Sequence, residues 1–201
     1  MQIDLRQMQT LFDDSLIPGL TLHANFIDAA EERELIDRID AQPMEPFRFQ
    51  QWTGKRLVKS FGWHYDFQLG TVSRAEPIPE WLDAVRARAA ALAGFDSHAL
   101  QQALLLKYGP GAGINWHRDR PQFGEVFGIS LGTFAQMRFR RRVDQRWQRM
   151  SVPLEPRSLY HLSGEVRHEW EHSIVEMPAG SRYSITFRTL SESGRKRTAA
   201  L

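Results

Sequence analysis

The 201-residue chain has no cysteine. Disulfides, thiolate metal ligands and cysteine nucleophiles are thereby excluded, so any metal site must be built from histidine and carboxylate. No apolar run approaches the length of a membrane span, and Met1-Gln2-Ile3-Asp4 has neither the basic nor the apolar region of a signal peptide. The expected compartment is the cytoplasm, with no membrane partner. Nor is there a large excess of either charge: a net +2 does not by itself argue for a polyanionic partner. The charge is uneven, however. Residues 138–149 hold six arginines and one aspartate, and this stretch reads either as a basic patch or as a solvated strand and turn.

Internal repeats and low-complexity tracts are also missing, and the overall composition is that of a globular protein with one substantial core. Residues 20–27 alternate as a strand, and Asp28 with Glu31 three residues on forms a capping-box signature. The helix that follows should bury Leu35, Ile36 and Ile39. A second helix starts near Pro79, presents Trp81, Leu82, Val85, Ala89 and Leu92 on one face, and stops at Gly94. Beyond it come short β-type runs at 103–108, 126–131, 134–140, 157–162 and 182–188, separated by Gly and Pro turns. This order predicts an α+β, mainly β fold, a sandwich or barrel with two helices covering one face.

Two stretches carry chemistry. Tyr108-Gly-Pro-Gly-Ala-Gly-Ile114-Asn-Trp116-His117-Arg-Asp119 delivers a histidine and a carboxylate two residues apart, on one side of the chain if the segment is extended. A third ligand from a distant strand would leave an octahedral face open, as in a two-His, one-carboxylate iron centre. In the second stretch, Arg182-Tyr-Ser184-Ile-Thr186-Phe-Arg188, alternation puts Arg182, Ser184, Thr186 and Arg188 on one face. Two inward arginines need anionic partners, and from its two ends the strand could grip the carboxylates of a short diacid. A competing motif, His168-Glu169-Trp-Glu-His172, matches the H-E-x-x-H helix of zinc metalloproteases, but lacks a clear third ligand and is confined between Gly164 and Pro178. In the N-terminal half, residues 47–67 interleave aromatic and basic side chains. They form either a base-stacking surface or, for Phe61 and Trp63, the core of a small hairpin.

From Leu104 to Arg188 the chain resembles the AlkB-like Fe(II)/2-oxoglutarate-dependent dioxygenases. Tyr-Gly-Pro-Gly precedes His117-x-Asp119, Gly-Ile-Ser-Leu-Gly follows at 128–132, His172 comes next, and Arg-x-Ser-x-Thr-x-Arg closes the series in the family's order. The resemblance implies a double-stranded β-helix (jelly roll) with N-terminal helices and a substrate lid. It implies one domain over 1–190, with helices and lid in 1–100 and the catalytic core in 101–190, and we expect a flexible basic tail over 191–201. His117, Asp119 and His172 would ligate Fe(II), and O₂ would be the second cosubstrate. Arg182, aided by the Tyr108 hydroxyl, would pair with the distal carboxylate of 2-oxoglutarate, with Ser184 beside it and Arg188 near the 1-carboxylate. Gly62-Trp63-x-Tyr65 resembles the lid strand, so Trp52, Arg56, Trp63, Tyr65 and Pro121 are the expected substrate contacts.

The chain departs from the family pattern at three positions. Leu106 and Ser184 stand where asparagines are common, and Pro121 stands where repair members often carry a carboxylate. The implied activity is oxidative dealkylation of N-alkylated nucleic-acid bases, single strands preferred, by a monomer. Protein side chains, a metalloprotease and a catalytically degenerate binding module are the alternatives.

Overall fold

A computed structural model describes residues 17–49, 51–67 and 69–199, with Trp52 described in its backbone alone. The first strand, β1 (Leu20–His23), is shorter than the alternation predicts, because Asn25 takes a left-handed φ of 52° and turns the chain. Helix α1 (Ala29–Asp40) starts where Asp28 Oδ1 accepts from the Ala30 and Glu31 amides, both at 2.8 Å. Glu31 does not complete the capping box; its carboxylate binds Arg88 instead. The buried apolar positions of α1 are Leu35 and Ile39, with Ile36 at the margin. After a 3₁₀ turn over Glu80–Leu82, α2 (Asp83–Ala91) buries Val85 and Ala89. Leu92, expected on that face, is 44% exposed because the helix ends before it.

Between the helices lie β2 (Glu45–Phe49), β3 (Trp52–Phe61), β4 (Trp63–Asp66) and β5 (Thr71–Arg74). After α2 follow β6 (Leu100–Tyr108), β7 (Ile114–His117), β8 (Phe123–Gly132), β9 (Ala135–Val143), β10 (Arg146–Leu154) and β11 (Leu159–Leu162). Helix α3 (Gly164–His168), β12 (Glu171–Ile174), β13 (Arg182–Leu190) and α4 (Glu192–Thr198) complete the chain.

The strands form a seven-stranded sheet ordered β1-β11-β8-β13-β6-β3-β2, a four-stranded sheet ordered β10-β9-β12-β7, and a β4-β5 hairpin. All pairings are antiparallel, and the two larger sheets make a jelly roll. Strand alternation divides the large sheet cleanly. Tyr183, Ile185 and Phe187 pack outward against α1 and α2, with Ala103, Leu105, Phe127 and Ile129. On the inner face Leu106, Tyr108, Val126 and Tyr160 meet Met137, Phe139, Ile174 and other side chains of the second sheet.

The C-terminal segment differs from the expected flexible tail. Ser191 caps α4 through a 3.0 Å bond from the Gly194 amide, and Ser191 and Ser193 donate to the Pro121 carbonyl. Gly194 lies so close to the Gln122 carbonyl that a Cβ there would fall 2.0 Å from its oxygen. Docking of this kind, rather than any apolar periodicity, holds the helix in place.

Candidate active site

A turn from Gly109 to Gly113 leads into β7. Gly113 packs against the backbone of β12, where a Cβ would sit 2.8 Å from the Ile174 carbonyl oxygen. Close approach of the two strands brings His117 directly opposite His172 in the ladder, with ring centroids 4.3 Å apart. Asp119 follows in the next loop, its Oδ2 3.4 Å from His172 Nε2. Candidate ligand atoms of all three residues lie within 4.8 Å of one another, close enough to share one ion. His117 Nδ1 sits 2.8 Å from the Asn115 carbonyl. A carbonyl can only accept, so Nδ1 carries the proton and Nε2 keeps its lone pair for a metal.

The local charges set the protonation that ligation needs. Burial alone would raise the Asp119 carboxyl, but the Arg188 guanidinium, with smaller contributions from His172, His117 and Arg167, holds it well below the usual carboxylate range. Burial, together with the neighbouring His117, pushes His172 down to about 3, and burial lowers His117 too. An ionised carboxylate thus meets two neutral imidazoles at neutral pH.

Arg188 donates through Nε (2.8 Å) and Nη2 (2.7 Å) to Asp119 Oδ1, and through Nη1 to Gln102 Oε1. Arg188 thereby joins the cluster of candidate ligands through Asp119, a partner that the sequence pattern does not indicate.

A residue that the sequence reading passed over fixes the same loop. Arg167, buried on α3, donates to the backbone carbonyls of Gly124 (2.6 Å), Phe123 (2.6 Å), Arg120 (2.9 Å) and Asp119 (3.3 Å). No carboxylate side chain is among these hydrogen-bond partners, and burial lowers its pKa. The stretch that carries Asp119 is therefore wrapped around one guanidinium. Its only trace in the sequence was an arginine in the middle of the Val166-Arg167-His168 turn.

Arg182 begins β13 opposite Tyr108 and is 1% exposed. Its guanidinium lies over the Tyr108 ring at 4.9 Å, and its Nε and Nη1 are buried with no hydrogen-bond partner among the described residues. A buried guanidinium with donors unengaged is costly, so the position fits an anion such as a carboxylate of 2-oxoglutarate. Ser184 follows on the same face, also buried, between Leu106 and Ser130. Tyr160 is a further wall of this region. Its ring lies across Gly128, where a Cβ would be 2.0 Å from Cζ, which gives the first glycine of Gly-Ile-Ser-Leu-Gly its reason. Burial raises the Tyr160 phenol, an effect that Arg182 opposes.

Over His117, Asp119 and Arg188 opens a cleft of about 1140 Å³, roofed by β2, β3 and the β4-β5 hairpin. Phe47, Phe49, Tyr65 and Phe67 supply its aromatic side, with ring centroids 5.0–6.0 Å apart in edge-on contacts. Arg56 stacks on Phe47 at 3.7 Å, and Arg120 lies over both Tyr65 and Phe67 at 4.9 and 4.8 Å. Burial lowers the pKa of Arg56, whose Nε has no hydrogen-bond partner among the described residues.

Arg56 and Tyr65 thus line the cleft, while the Trp52 side chain lies outside the described residues. Two expected contacts are corrected. Trp63 is 9% exposed and packs with Val72, Phe123 and Leu190 beneath the hairpin, because Gly62 (φ 73°) turns the chain just before it. Pro121 is not among the residues that line the cleft, and its carbonyl anchors the C-terminal segment. Phe47, Phe49, Phe67, Trp116 and Arg120, which line the cleft, were not singled out.

His168-Glu169-Trp170-Glu171-His172 is not a helix. His168 ends α3 and His172 lies in β12, so the two imidazoles do not share a helical face. Glu169 is exposed and pairs with Arg141. His161 is engaged elsewhere, 2.6 Å from Glu125 and stacked on Phe127.

The chain was compared with known proteins. The model of the 2OG-Fe(II) oxygenase superfamily matches residues 19–188. An Arabidopsis thaliana protein described as "Alkylated DNA repair protein ALKBH8 homolog" is 29% identical over 82% of this chain and 53% of its own. The mouse "tRNA (carboxymethyluridine(34)-5-O)-methyltransferase ALKBH8" is 28% identical over 86% of this chain but 26% of its own. The chain therefore spans about half of one relative and about a quarter of the other. Among solved structures, OsALKBH1 superposes with a TM-score of 0.65 at 17% identity, covering 87% of this chain and 98% of the other. A Pseudomonas putida prolyl-4-hydroxylase superposes at 0.60 and 16%, covering 86% and 93%. With the jelly roll, the histidine-carboxylate cluster and the matched family model in agreement, the chain belongs to the 2OG-Fe(II) oxygenase superfamily as an AlkB-like 2-oxoglutarate-dependent dioxygenase that uses Fe(II).

Proposed function

We propose that the protein oxidatively dealkylates N-alkylated bases in single-stranded nucleic acid, with iron held by His117, Asp119 and His172. The observation that carries this reading is the cleft. Flat aromatic faces and guanidinium groups open directly over His117 and Asp119, which suits a base stacked between rings and flanked by phosphates. Relatives described as an alkylated-DNA repair protein homologue and as a probable RNA/DNA demethylase support the choice of substrate class.

The chain's own groups divide the labour. His117 and His172 bind as neutral imidazoles. Arg188 fixes Asp119 by Oδ1 and leaves Oδ2 on the side of His172. Arg182 receives a carboxylate of 2-oxoglutarate, with Tyr108 and Ser184 alongside. Tyr65, Phe67 and Phe47 hold the base and exclude water from the reacting carbon. When bound, iron, 2-oxoglutarate and O₂ supply the oxidising power: the cosubstrate leaves as succinate and CO₂, and the N-alkyl carbon gains a hydroxyl. For an N-methyl group the hydroxylated product breaks down to formaldehyde and the unmodified amine.

The test is anaerobic loading with Fe(II) and 2-oxoglutarate, then oxygen with methylated oligonucleotides or methylated peptides, measuring succinate and formaldehyde. Formaldehyde in proportion to oligonucleotide is the expected result. Turnover confined to the peptide overturns the substrate class and keeps the dioxygenase.

A further inference from the structure

The arginine-rich stretch at 138–149 lies outside the cleft, and the site described above leaves it without a role. It forms most of β9 and β10, and the cross-strand register sorts its residues by face. Phe139 and Met150 form one register pair whose side chains point into the core, so Arg138, Arg140 and Arg142, with Trp147 and Arg149 opposite them, share the other face. Trp116, on β7 at the far edge of the same sheet, joins them there.

These side chains form an alternating stack. Arg138 lies over Trp116 at 5.1 Å; Arg140 lies between Trp116 at 4.4 Å and Trp147 at 4.5 Å; Arg142 lies over Trp147 at 5.6 Å. Among the described residues, only Arg140 of the four arginines on this face has a carboxylate partner, Glu171 at 2.7 Å. Arg138 donates to the Ser173 hydroxyl and Arg142 to the Asp144 carbonyl, and Arg149 forms no ion pair with any described residue. A merely solvated charged face would not carry two half-buried indoles lined up with unneutralised guanidinium groups. Trp116 also lines the cleft beside His117, so the stack runs from the open face of the sheet to the mouth of the site.

Resting on the nucleic-acid reading above, we infer that the outer face of the four-stranded sheet holds the single strand that flanks the target base. Its arginines take the phosphates and its tryptophans take unpaired bases. A sheet face with lateral rings suits the unpaired bases of a single strand. The face spans roughly 14 Å from β10 to β7, given about 4.8 Å between neighbouring strands. It therefore holds only a short stretch beyond the base in the cleft.

The experiment titrates fluorescent single-stranded oligonucleotide at several salt concentrations against wild type, Arg142→Glu/Arg149→Glu, Arg142→Lys/Arg149→Lys and Trp147→Ala. Thermal unfolding shows that each variant is folded. Loss of two phosphate contacts should weaken binding at low salt by about tenfold or more and flatten the log–log salt slope by about 1.4, near 0.7 per contact for single strands. The lysine pair should keep most of the slope, and Trp147→Ala should weaken binding without changing it. A glutamate pair that binds with wild-type affinity and slope overturns this surface while leaving the cleft reading intact. A wild type that binds no oligonucleotide overturns both. In a parallel titration with a fluorescent acidic peptide, glutamate variants that lose affinity for the peptide alone would assign the surface to a protein partner and overturn it as well.

Discussion

His117 and His172 are register partners across the β7-β12 ladder, and the strand pairing itself sets their imidazoles side by side. Their position depends on sheet geometry, so either can be truncated without disturbing the core. His117→Ala, Asp119→Ala and His172→Ala should each abolish Fe(II) binding and turnover while far-UV circular dichroism stays unchanged. Glu169→Gln should leave metal affinity intact, because that side chain is exposed and paired with Arg141. Isothermal titration with Fe(II) under argon reads both; retained binding in His117→Ala would dismiss the ligand set.

Arg182→Met separates stability from function. Removing a buried guanidinium with two unengaged nitrogens relieves an uncompensated group, worth about 1–3 kcal/mol, so the cosubstrate-free variant should melt no lower than wild type. Addition of 2-oxoglutarate should raise the wild-type melting temperature and leave the variant's unmoved. A variant still stabilised by 2-oxoglutarate would place the cosubstrate elsewhere.

Acid should destabilise the metal-free protein through His172. Its folded pKa is pushed to about 3 from an ordinary value of 6.5. Between these values the unfolded chain binds a proton that the folded chain does not, so stability present above about 6.5 is lost as pH falls toward about 3. Asp119, also depressed, acts in the same sense at lower pH. Urea midpoints of wild type and His172→Gln across this range should converge as the solution is acidified. Parallel curves would argue against the buried neutral histidine.

Arg167→Met should cost about 3 kcal/mol or more, since carbonyls from Asp119 to Gly124 lose a shared charged donor. Fe(II) affinity should fall further than unfolding alone explains, because the loop bearing Asp119 is released. Metal titration well below the melting temperature tests this; unchanged affinity would reduce Arg167 to a packing role.

The roof of the cleft gives a paired comparison. Trp63→Ala should lower stability by about 3–5 kcal/mol, as expected for a buried indole. Phe67→Ala should leave stability nearly unchanged and weaken oligonucleotide binding by about 1–3 kcal/mol. The reverse pattern would restore Trp63 as the stacking residue.

What the sequence revealed and what it hid follow from the range of the interactions. The face shared by Arg182, Ser184 and Arg188 was legible because two-residue alternation within a strand fixes direction locally, whereas Asp119 joins His117 from the loop after β7, beyond the reach of that alternation. Pairing of Arg188 with Asp119 joins residues 69 positions apart, and no local pattern encodes it. Trp63 was ambiguous for a similar reason: one left-handed glycine before it decides which way the ring turns. The C-terminal helix carries no apolar stripe, so only its docking partner, the 121–122 backbone, accounts for it.

Strand β3 runs over Trp52–Phe61, yet its ladder to β6 covers only Leu57 through Phe61. The half from Trp52 to Arg56 is therefore a two-stranded cantilever with β2, projecting over the iron site from a clamped base. Adding or deleting a pair of residues in this ribbon would preserve its inward and outward faces and change only its reach. Substrate size could thus be retuned by the length of the overhang while every residue that handles iron and 2-oxoglutarate stayed in register.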